Sequence, residues 1–362
     1  MKVVAKPFDT PLGPGVCEAP TKDELWTKIY SPEVLSRLSS LVSSAAAKVA
    51  AGSIEAGRIA LFRREYLSPL RSVNIGLIAD IHVGDGNDSS DLKRALRLFD
   101  GKKADAVIAA GDLTDFGLLS ELREVAAAWN EVFPGGRRSD GEPVVRLFHY
   151  GDHDTELNWK VRRREVVEKG RLADYIPRIG PDVAWQLAFG EPFEPVVRRT
   201  VKGCEFTAVH YLPDGAMGTS RPAGALPAFG DAWLHVFSQH RMYRGLFARP
   251  GRGDEVSWDD GASLAAVTNV PGMIAVCGHG HISAANDTSF HADGFAAIAI
   301  PSLFYQIETW LPKPKGDHSS HQALFLKASP GGFVVERLDV RTGKRLGPDF
   351  VHSIVARNGV TP

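Results

Sequence analysis

The sequence predicts an α/β protein with a mainly parallel sheet core, because strand-like and helix-like patterns alternate along it from about residue 72. Short apolar runs such as VNIGLIAD, DAVIAAGD and VVRLFHYGD each end in a polar residue, as strands buried on both faces do. Between them lie DLKRALRLFD and LLSELREVAAAWN, whose apolar residues recur at helical spacing. Strands that alternate with helices favour stacked α/β layers.

Two regions are expected, residues 1–70 and residues 71–362. The first 20 residues are rich in Pro and Gly and predict an irregular arm, whereas residues 22–66 have a helical pattern that includes the Ser31-Pro32-Glu33 start signal. Within the second region, residues 155–230 are expected to form a substrate-cap insertion and loops. Residues 320–350 predict two strands joined by a Pro-Gly-Gly turn.

Composition limits the classes of partner. The chain has 362 residues, 44% hydrophobic residues and a formal net charge of -1, so a large core is expected without general attraction to nucleic acid or anionic lipid. No segment is apolar over the roughly 18 residues that a membrane span needs, and no signal-peptide pattern is present. The three cysteines are widely spaced and form no CxxC motif. We therefore expect a cytoplasmic protein without a membrane partner.

Ionisable residues follow five of the predicted strands. Alternation along a strand sends the first and third residues of a D-x-H or H-x-H motif to one side, so both can reach a single ion. Oxygen and nitrogen ligands without thiolate suit Mn, Fe, Zn, Ni or Co. The strand-end residues are Asp80, His82, Asp112, Asp152, His153, Asp154, His240, His279 and His281.

The joint order D-x-H, G-D-x-x-D, G-x-H-D, H and G-H-x-H resembles the calcineurin-like metallophosphoesterase superfamily, from about Ser72 to about Phe304. The forms at residues 79–82 and 111–117 look most like its cyclic-nucleotide phosphodiesterase-like branch. The resemblance implies a four-layer α/β/β/α sandwich with two mixed sheets, to which residues 1–70 add a mainly helical extension.

The resemblance also implies a role for each strand-end residue. Asp112 would bridge two metal ions, and His153 would be the catalytic histidine, oriented by Asp154. His210 competes with His240 for the isolated-histidine position, and His240 is preferred because it closes a strand. The remaining ligands would be Asp80, His82 and His281 for one metal, and Asp152, His240 and His279 for the other.

The activity implied is hydrolysis of phosphoric esters, with diesters favoured over monoesters, by attack of a hydroxide that bridges two divalent or mixed-valence metal ions. A small phosphoester is the expected partner. A nuclease is an alternative, for which the basic run at residues 160–164 is the only support; that run also fits a solvated helix face. A non-catalytic metal-binding scaffold is a third reading. The sequence leaves the oligomeric state open.

Asp152 departs from the family pattern, which has Asn at this position. The extra carboxylate predicts one of three effects: a more highly charged second metal such as ferric iron, a preference for monoanionic diesters, or a weakened second metal.

Overall fold

The computed structural model describes residues 9–10, 13–14, 72–84, 86–155, 180–213, 220–222, 228–230, 232–241, 243, 247, 262–293, 295–306 and 320–352. The chain separates into two compact units, Met1–Tyr66 and Leu67–Pro362. In the first unit the described residues form two short antiparallel strands, β1 (Asp9–Thr10) and β2 (Gly13–Pro14). The helices predicted for residues 22–66 lie outside the described residues.

The second unit contains five α-helices and fourteen strands within its described residues. The helices are α1 (Ser90–Gly101), α2 (Leu119–Val132), α3 (Asp152–Thr155), α4 (Pro181–Phe189) and α5 (Ala262–Val267). The strands are β3 (Val73–Ile78), β4 (Ala106–Ala110), β5 (Val145–His149), β6 (Val196–Val201), β7 (Cys204–Val209), β8 (Tyr211–Pro213), β9 (Ser220–Pro222), β10 (Leu234–Gln239), β11 (Met273–Cys277), β12 (Phe290–Asp293), β13 (Phe295–Ala299), β14 (Gln322–Ser329), β15 (Gly332–Asp339) and β16 (Phe350–His352).

Two six-stranded sheets form the centre of this unit. The first sheet has the order β16-β15-β14-β3-β4-β5, in which β3, β4 and β5 are parallel and the other strands antiparallel. The second has the order β12-β13-β11-β10-β7-β6, in which β7, β10, β11 and β13 are parallel and both edge strands antiparallel. Both sheets are therefore mixed, with a parallel centre.

The layers follow from side-chain alternation along the strands. Ile75 and Leu77 of β3 point towards Val236 and Ile274 of the second sheet, in a core buried between the two sheets. The opposite face of the first sheet is covered by α1 and α2, and the opposite face of the second packs against residues that include Val267 of α5. This arrangement confirms the predicted α/β sandwich of two mixed sheets flanked by helices. No helix among the described residues is both long and apolar enough to cross a membrane.

The predicted cap insertion of residues 155–230 needs a correction. Residues 196–209 build β6 and β7, which are integral to the second sheet, and β7 pairs with the central strand β10. The physical reason is burial, since four consecutive residues at the end of β7 are inaccessible on both faces. Residues 156–179, with the basic run at 160–164, lie outside the described part of the chain.

Candidate metal centre

The predicted ligands lie where parallel strands of both sheets end. Asp80 and His82 follow β3, and Asp112 follows β4. Asp152 begins α3, three residues after the end of β5. From the second sheet, His240 follows β10, while His279 and His281 follow β11. Because the parallel strands of each sheet deliver their carboxyl ends to one edge, all seven side chains meet there.

The seven side chains form two groups that share Asp112. In each group the candidate ligand atoms lie within 4.8 Å of one another. The first group consists of Asp80, His82, Asp112 and His281, and the second group consists of Asp112, Asp152, His240 and His279. All seven residues are buried.

Asp112 directs its two carboxylate oxygens to different groups. Its Oδ2 atom lies 3.7 Å from Nε2 of His82 in the first group, and its Oδ1 atom lies 3.3 Å from Nε2 of His240 in the second. Asp112 therefore has the orientation that a bridging ligand needs.

Hydrogen bonds fix the orientation of two of the imidazole rings. Nδ1 of His240 lies 2.9 Å from the carbonyl oxygen of Ala110, and Nδ1 of His281 lies 2.8 Å from that of Tyr305. A carbonyl oxygen can only accept, so Nδ1 carries a proton in both rings, which leaves Nε2 as the nitrogen that can coordinate an ion. A proton on Nδ1 is compatible with coordination through Nε2.

The side chains present fit two metal ions. Three carboxylates and four imidazoles in so small a buried volume are costly without cations to balance them. Oδ2 of Asp80 is buried without a hydrogen-bond partner, and burial raises the pKa of Asp80 to about 8. Burial also lowers the pKa values of His82 and His281 below the usual value, so neutral imidazole is favoured. The donor set is that of a hard or borderline divalent cation.

Asp152 belongs to the second group through its Oδ1 atom. That oxygen lies 2.8 Å from Nε2 of His240 and 3.3 Å from Nδ1 of His279. Burial by itself would raise the pKa of Asp152, but the two facing imidazoles hold it well below the usual value. Asp152 is therefore an ionised carboxylate at the position of the family's neutral Asn.

His153 lies beside the first group of ligands but belongs to neither group. Its ring lies 4.5 Å from that of His82 in an edge-to-face arrangement, and its side chain is 24% exposed. Its backbone N–H donates to Oδ1 of Asp112 over 2.9 Å. The histidine thus has access to solvent and a fixed position next to the metal ligands.

The predicted pairing of His153 with Asp154 is wrong in this structure. The Asp154 carboxylate instead accepts bonds from the backbone N–H groups of Leu113, Thr114 and Gly151 and from the Thr114 hydroxyl. It therefore joins the β4 and β5 strand ends. The reason is geometric, because α3 begins at Asp152 and consecutive residues on a helix point in different directions.

The residue that does accompany His153 is Asp115. Nδ1 of His153 lies 3.1 Å from the carbonyl oxygen of Asp115 and 3.5 Å from its Oδ1 atom. The same Oδ1 lies 3.4 Å from Nδ1 of His82. Asp115 is the last residue of the G-D-x-x-D motif that pointed to Asp112, but the motif by itself predicted no role for it.

His210, the alternative to His240, lies away from both groups. It is buried just after β7, and its Nδ1 accepts the backbone N–H of Tyr150 over 3.1 Å. Aromatic side chains, including Trp185 and Phe193, surround its ring. The structure brings His240, rather than His210, together with the other predicted ligands.

Five of the seven candidate ligands have a left-handed backbone conformation. Their φ angles lie between 48° and 63°, in a region that costs a non-glycine residue about 1 kcal/mol or more. The five are Asp80, His82, Asp112, His279 and His281. Such a concentration of strain at one place is typical of a functional site.

The strand ends of this α/β sandwich thus hold a candidate dinuclear metal site, made of two carboxylate–imidazole groups that share an aspartate. The chain also matches the family model described as calcineurin-like phosphoesterase over residues 73–283. It therefore belongs to the calcineurin-like phosphoesterase family.

Solved structures of low sequence identity are similar to this chain. A purple acid phosphatase from yellow lupin (Lupinus luteus) seeds is 14% identical, with a TM-score of 0.44, and the match covers 78% of this chain and 54% of that one. A dimetal phosphatase from Danio rerio is 12% identical, with a TM-score of 0.44 and coverage of 78% and 99%. A phosphoesterase from E. coli, Yfce, is 12% identical, with a TM-score of 0.34 and coverage of 78% and 100%. No curated protein matches the sequence.

Proposed function

We propose that this chain is a dinuclear-metal phosphoesterase that hydrolyses monoanionic phosphodiesters in preference to dianionic monoesters. The family supports the general activity, hydrolysis of phosphoric esters. The observation that supports the preference for diesters is Asp152, a buried carboxylate 2.8 Å from His240 in the second group.

The charge of the occupied site explains the preference. Two divalent ions contribute +4, and Asp80, Asp112 and Asp152 contribute -3. When bound, the ions would activate a water molecule as nucleophile and neutralise phosphoryl oxygens. A deprotonated nucleophile brings the sum to about 0, whereas Asn at position 152 would leave about +1. A site of net charge 0 attracts a dianionic monoester less than a site of net charge +1 does. A monoanionic diester carries half the charge, so its attraction to the site falls by about half as much.

His153 is the residue proposed to protonate the leaving group. Its Nδ1–H donates to the Asp115 carbonyl oxygen, so Nε2 is the nitrogen that can exchange a proton with a substrate. Its exposure and its place beside His82 put it at the edge of the first group. Phe304 and Tyr305 also lie beside His82, with ring centroids 6.1 and 5.3 Å from its own. These rings would present an apolar surface to an organic ester group near His153.

Paired substrates test the proposal. The kcat/KM values for bis(4-nitrophenyl) phosphate and 4-nitrophenyl phosphate are measured with the native chain and Asp152→Asn at Mn²⁺ concentrations that saturate each protein. We expect the native chain to prefer the diester, and the substitution to shift the ratio towards the monoester by roughly tenfold, about 1.4 kcal/mol. Asp287→Asn, at a residue 87% exposed, is the control and should leave the ratio unchanged.

An unchanged ratio in Asp152→Asn would refute the preference for diesters. Absence of turnover of both esters with Mn²⁺, Fe²⁺, Zn²⁺, Ni²⁺ and Co²⁺ would refute the phosphoesterase itself and favour a scaffold. The proposed partner is a small phosphoester rather than nucleic acid, because the net charge of -1 offers no general attraction to a polyanion. We also propose a cytoplasmic location, consistent with the free thiol of Cys204.

A further inference from the structure

We propose that Asp152 makes the two metal groups equivalent in charge, so that the chain binds two ions of the same charge, each through its own unshared carboxylate. The inference rests on the dinuclear site of the proposed function but not on hydrolysis. It replaces the expectation of a more highly charged second metal with that of a matched divalent pair.

The ligand sets of the two groups are the same. Each contains two imidazoles and two carboxylates, and one of the two carboxylates is the shared Asp112. Asp80 is the unshared carboxylate of the first group, and Asp152 is that of the second. With Asn at position 152, the second group would hold only the shared charge, and the ions would differ in their surroundings by one full unit.

Each of the two unshared carboxylates faces the Nε2 atom of a histidine in its own group. Oδ1 of Asp80 lies 3.5 Å from Nε2 of His281, and Oδ1 of Asp152 lies 2.8 Å from Nε2 of His240. Both aspartates are buried, with 0% and 9% of their surface exposed. Each carboxylate would therefore act on its ion with little screening by solvent.

The Asp152 carboxylate is directed at the metal-facing side of its histidine partner. A structural partner of His240 would be expected at Nδ1, but that nitrogen already donates to the Ala110 carbonyl oxygen. Asp152 instead approaches Nε2, the nitrogen that Asp112 also faces. An anionic oxygen at this place serves an ion held between the imidazoles better than it serves to orient the ring.

A pair of mirror substitutions tests the equivalence. Bound Mn²⁺ per chain is measured by equilibrium dialysis as a function of free Mn²⁺ for the native chain, Asp80→Asn and Asp152→Asn. We expect the native chain to bind two ions, and each variant to lose affinity for one of them by about 100-fold or more, because loss of a residue that only orients a ligand already costs about 10- to 100-fold. Repulsion between the ions acts on both equally, so it does not distinguish the two variants.

The comparison between the variants decides the proposal. If Asp80→Asn weakens one ion while Asp152→Asn leaves both dissociation constants unchanged, Asp152 is a tolerated replacement and the proposal fails. It also fails if the native chain retains one trivalent and one divalent ion after incubation with Fe³⁺ and Mn²⁺ together. Asp287→Asn should bind as the native chain does. Far-UV circular dichroism in EDTA checks folding, and Asp152→Ser is a second neutral variant should Asp152→Asn not fold.

Failure here is separable from failure of the proposed function. Ion binding is measured without substrate, so a chain that binds two matched ions but hydrolyses no ester would support this inference and refute the phosphoesterase. A chain that hydrolyses diesters but whose Mn²⁺ binding is unchanged by Asp152→Asn would support the phosphoesterase and refute this inference.

Discussion

At the scale of single residues, Asp115 and Asp154 have different roles, which their sequence motifs do not distinguish. Asp115 accompanies His153, whereas Asp154 binds backbone groups at the ends of β4 and β5. The Asp115 carboxylate lies 3.5 Å from Nδ1 of His153 and 3.4 Å from Nδ1 of His82, so it can hold both rings. Burial by itself would raise the pKa of Asp115, but the neighbouring imidazoles of His153 and His82 hold it below the usual value. Asp115 is thus an anionic positioning residue for the proposed general acid.

We predict that Asp115→Asn lowers kcat for a diester by about 10–100-fold at saturating Mn²⁺, because His153 loses its anionic neighbour and part of its orientation. The shape of the pH–rate profile should also change. A negative charge next to an imidazole favours its protonated form, and Asp115→Asn removes that charge from beside His153. A pH–rate profile for the native chain and the variant is the measurement. A profile unchanged in shape and height would show that Asp115 does not act on His153.

Asp154→Asn is expected to act differently, on folding rather than on proton transfer. Its carboxylate accepts three backbone N–H groups and one hydroxyl, so the substitution should lower the free energy of unfolding by about 1–3 kcal/mol. Urea titration of the metal-free proteins measures this loss. If Asp154→Asn unfolds at the same urea concentration as the native chain but has a shifted pH–rate profile, the roles assigned to Asp115 and Asp154 are the wrong way round.

At the scale of elements, glycines let the strand ends approach closely. A Cβ at Gly151 would meet the carboxylate and backbone nitrogen of Asp112 and come within 2.9 Å of the His240 ring. A Cβ at Gly111 would collide with the same ring. These turns therefore admit no side chain where β4, β5 and β10 converge.

Gly151→Ala should displace Asp112 and weaken the binding of both metal ions, because Asp112 belongs to both groups. Gly101→Ala is the matched control, since a Cβ at the end of α1 would meet no atom within 4 Å beyond its chain neighbours and the backbone of its own helix, and it should leave metal binding unchanged. Equilibrium dialysis with Mn²⁺ compares the two. Equal affinities in the two variants would contradict the close approach of these turns.

The same strand ends show what the sequence could predict. Buried apolar runs ending in Asp or His predicted the ligand positions, because the strand period and the shared edge of parallel strands are local consequences of the pattern. The partner of His153 was mispredicted, because it depends on the direction in which α3 leaves β5. The membership of β6 and β7 in the second sheet was missed, since pairing with β10 is a long-range contact.

A second element-scale feature is an ion-pair network at Asp91, in the first turn of α1. Its carboxylate bonds to His321, Arg341 and Arg94, and so ties α1 to the segments at either end of the β14–β15 hairpin. Burial would raise the pKa of Asp91, but these three partners lower it well below the usual value. Asp91 is therefore ionised at neutral pH, and its bonds contribute to stability there.

The pH dependence of the stability that Asp91 contributes follows from the difference between its pKa values in the folded and unfolded states. A carboxyl with a lowered pKa in the folded state contributes stability above its unfolded pKa of about 3.9 and loses that contribution as the pH falls towards the folded value. We therefore expect Asp91→Asn to unfold more easily than the native chain at pH 6 and 7, with a difference that shrinks below about pH 4. Urea titrations in EDTA across this range measure it. A difference independent of pH would contradict the ionised network.

At the scale of the whole second unit, both sheets contribute ligands to each of the two metal groups. The first group takes three ligands from the first sheet and His281 from the second, and the second group takes two from each. Each bound ion would therefore join the sheets at the edge where their parallel strands end. No local pattern could reveal this, because stacking of the sheets is set by the apolar core between them.

We predict that metal binding stabilises this unit as a whole. Three clustered carboxylates and five left-handed ligand residues oppose folding in the absence of cations, and ions bound across both sheets offset that cost. At free Mn²⁺ about 100 times the dissociation constant, each ion should add about 2.7 kcal/mol to the free energy of unfolding. Urea titrations with Mn²⁺ and with EDTA measure the gain, which should fall by about half in Asp152→Asn and nearly vanish in the double variant Asp80→Asn, Asp152→Asn. The same gain in the native chain and the double variant would mean that the ions bind elsewhere and do not join the two sheets.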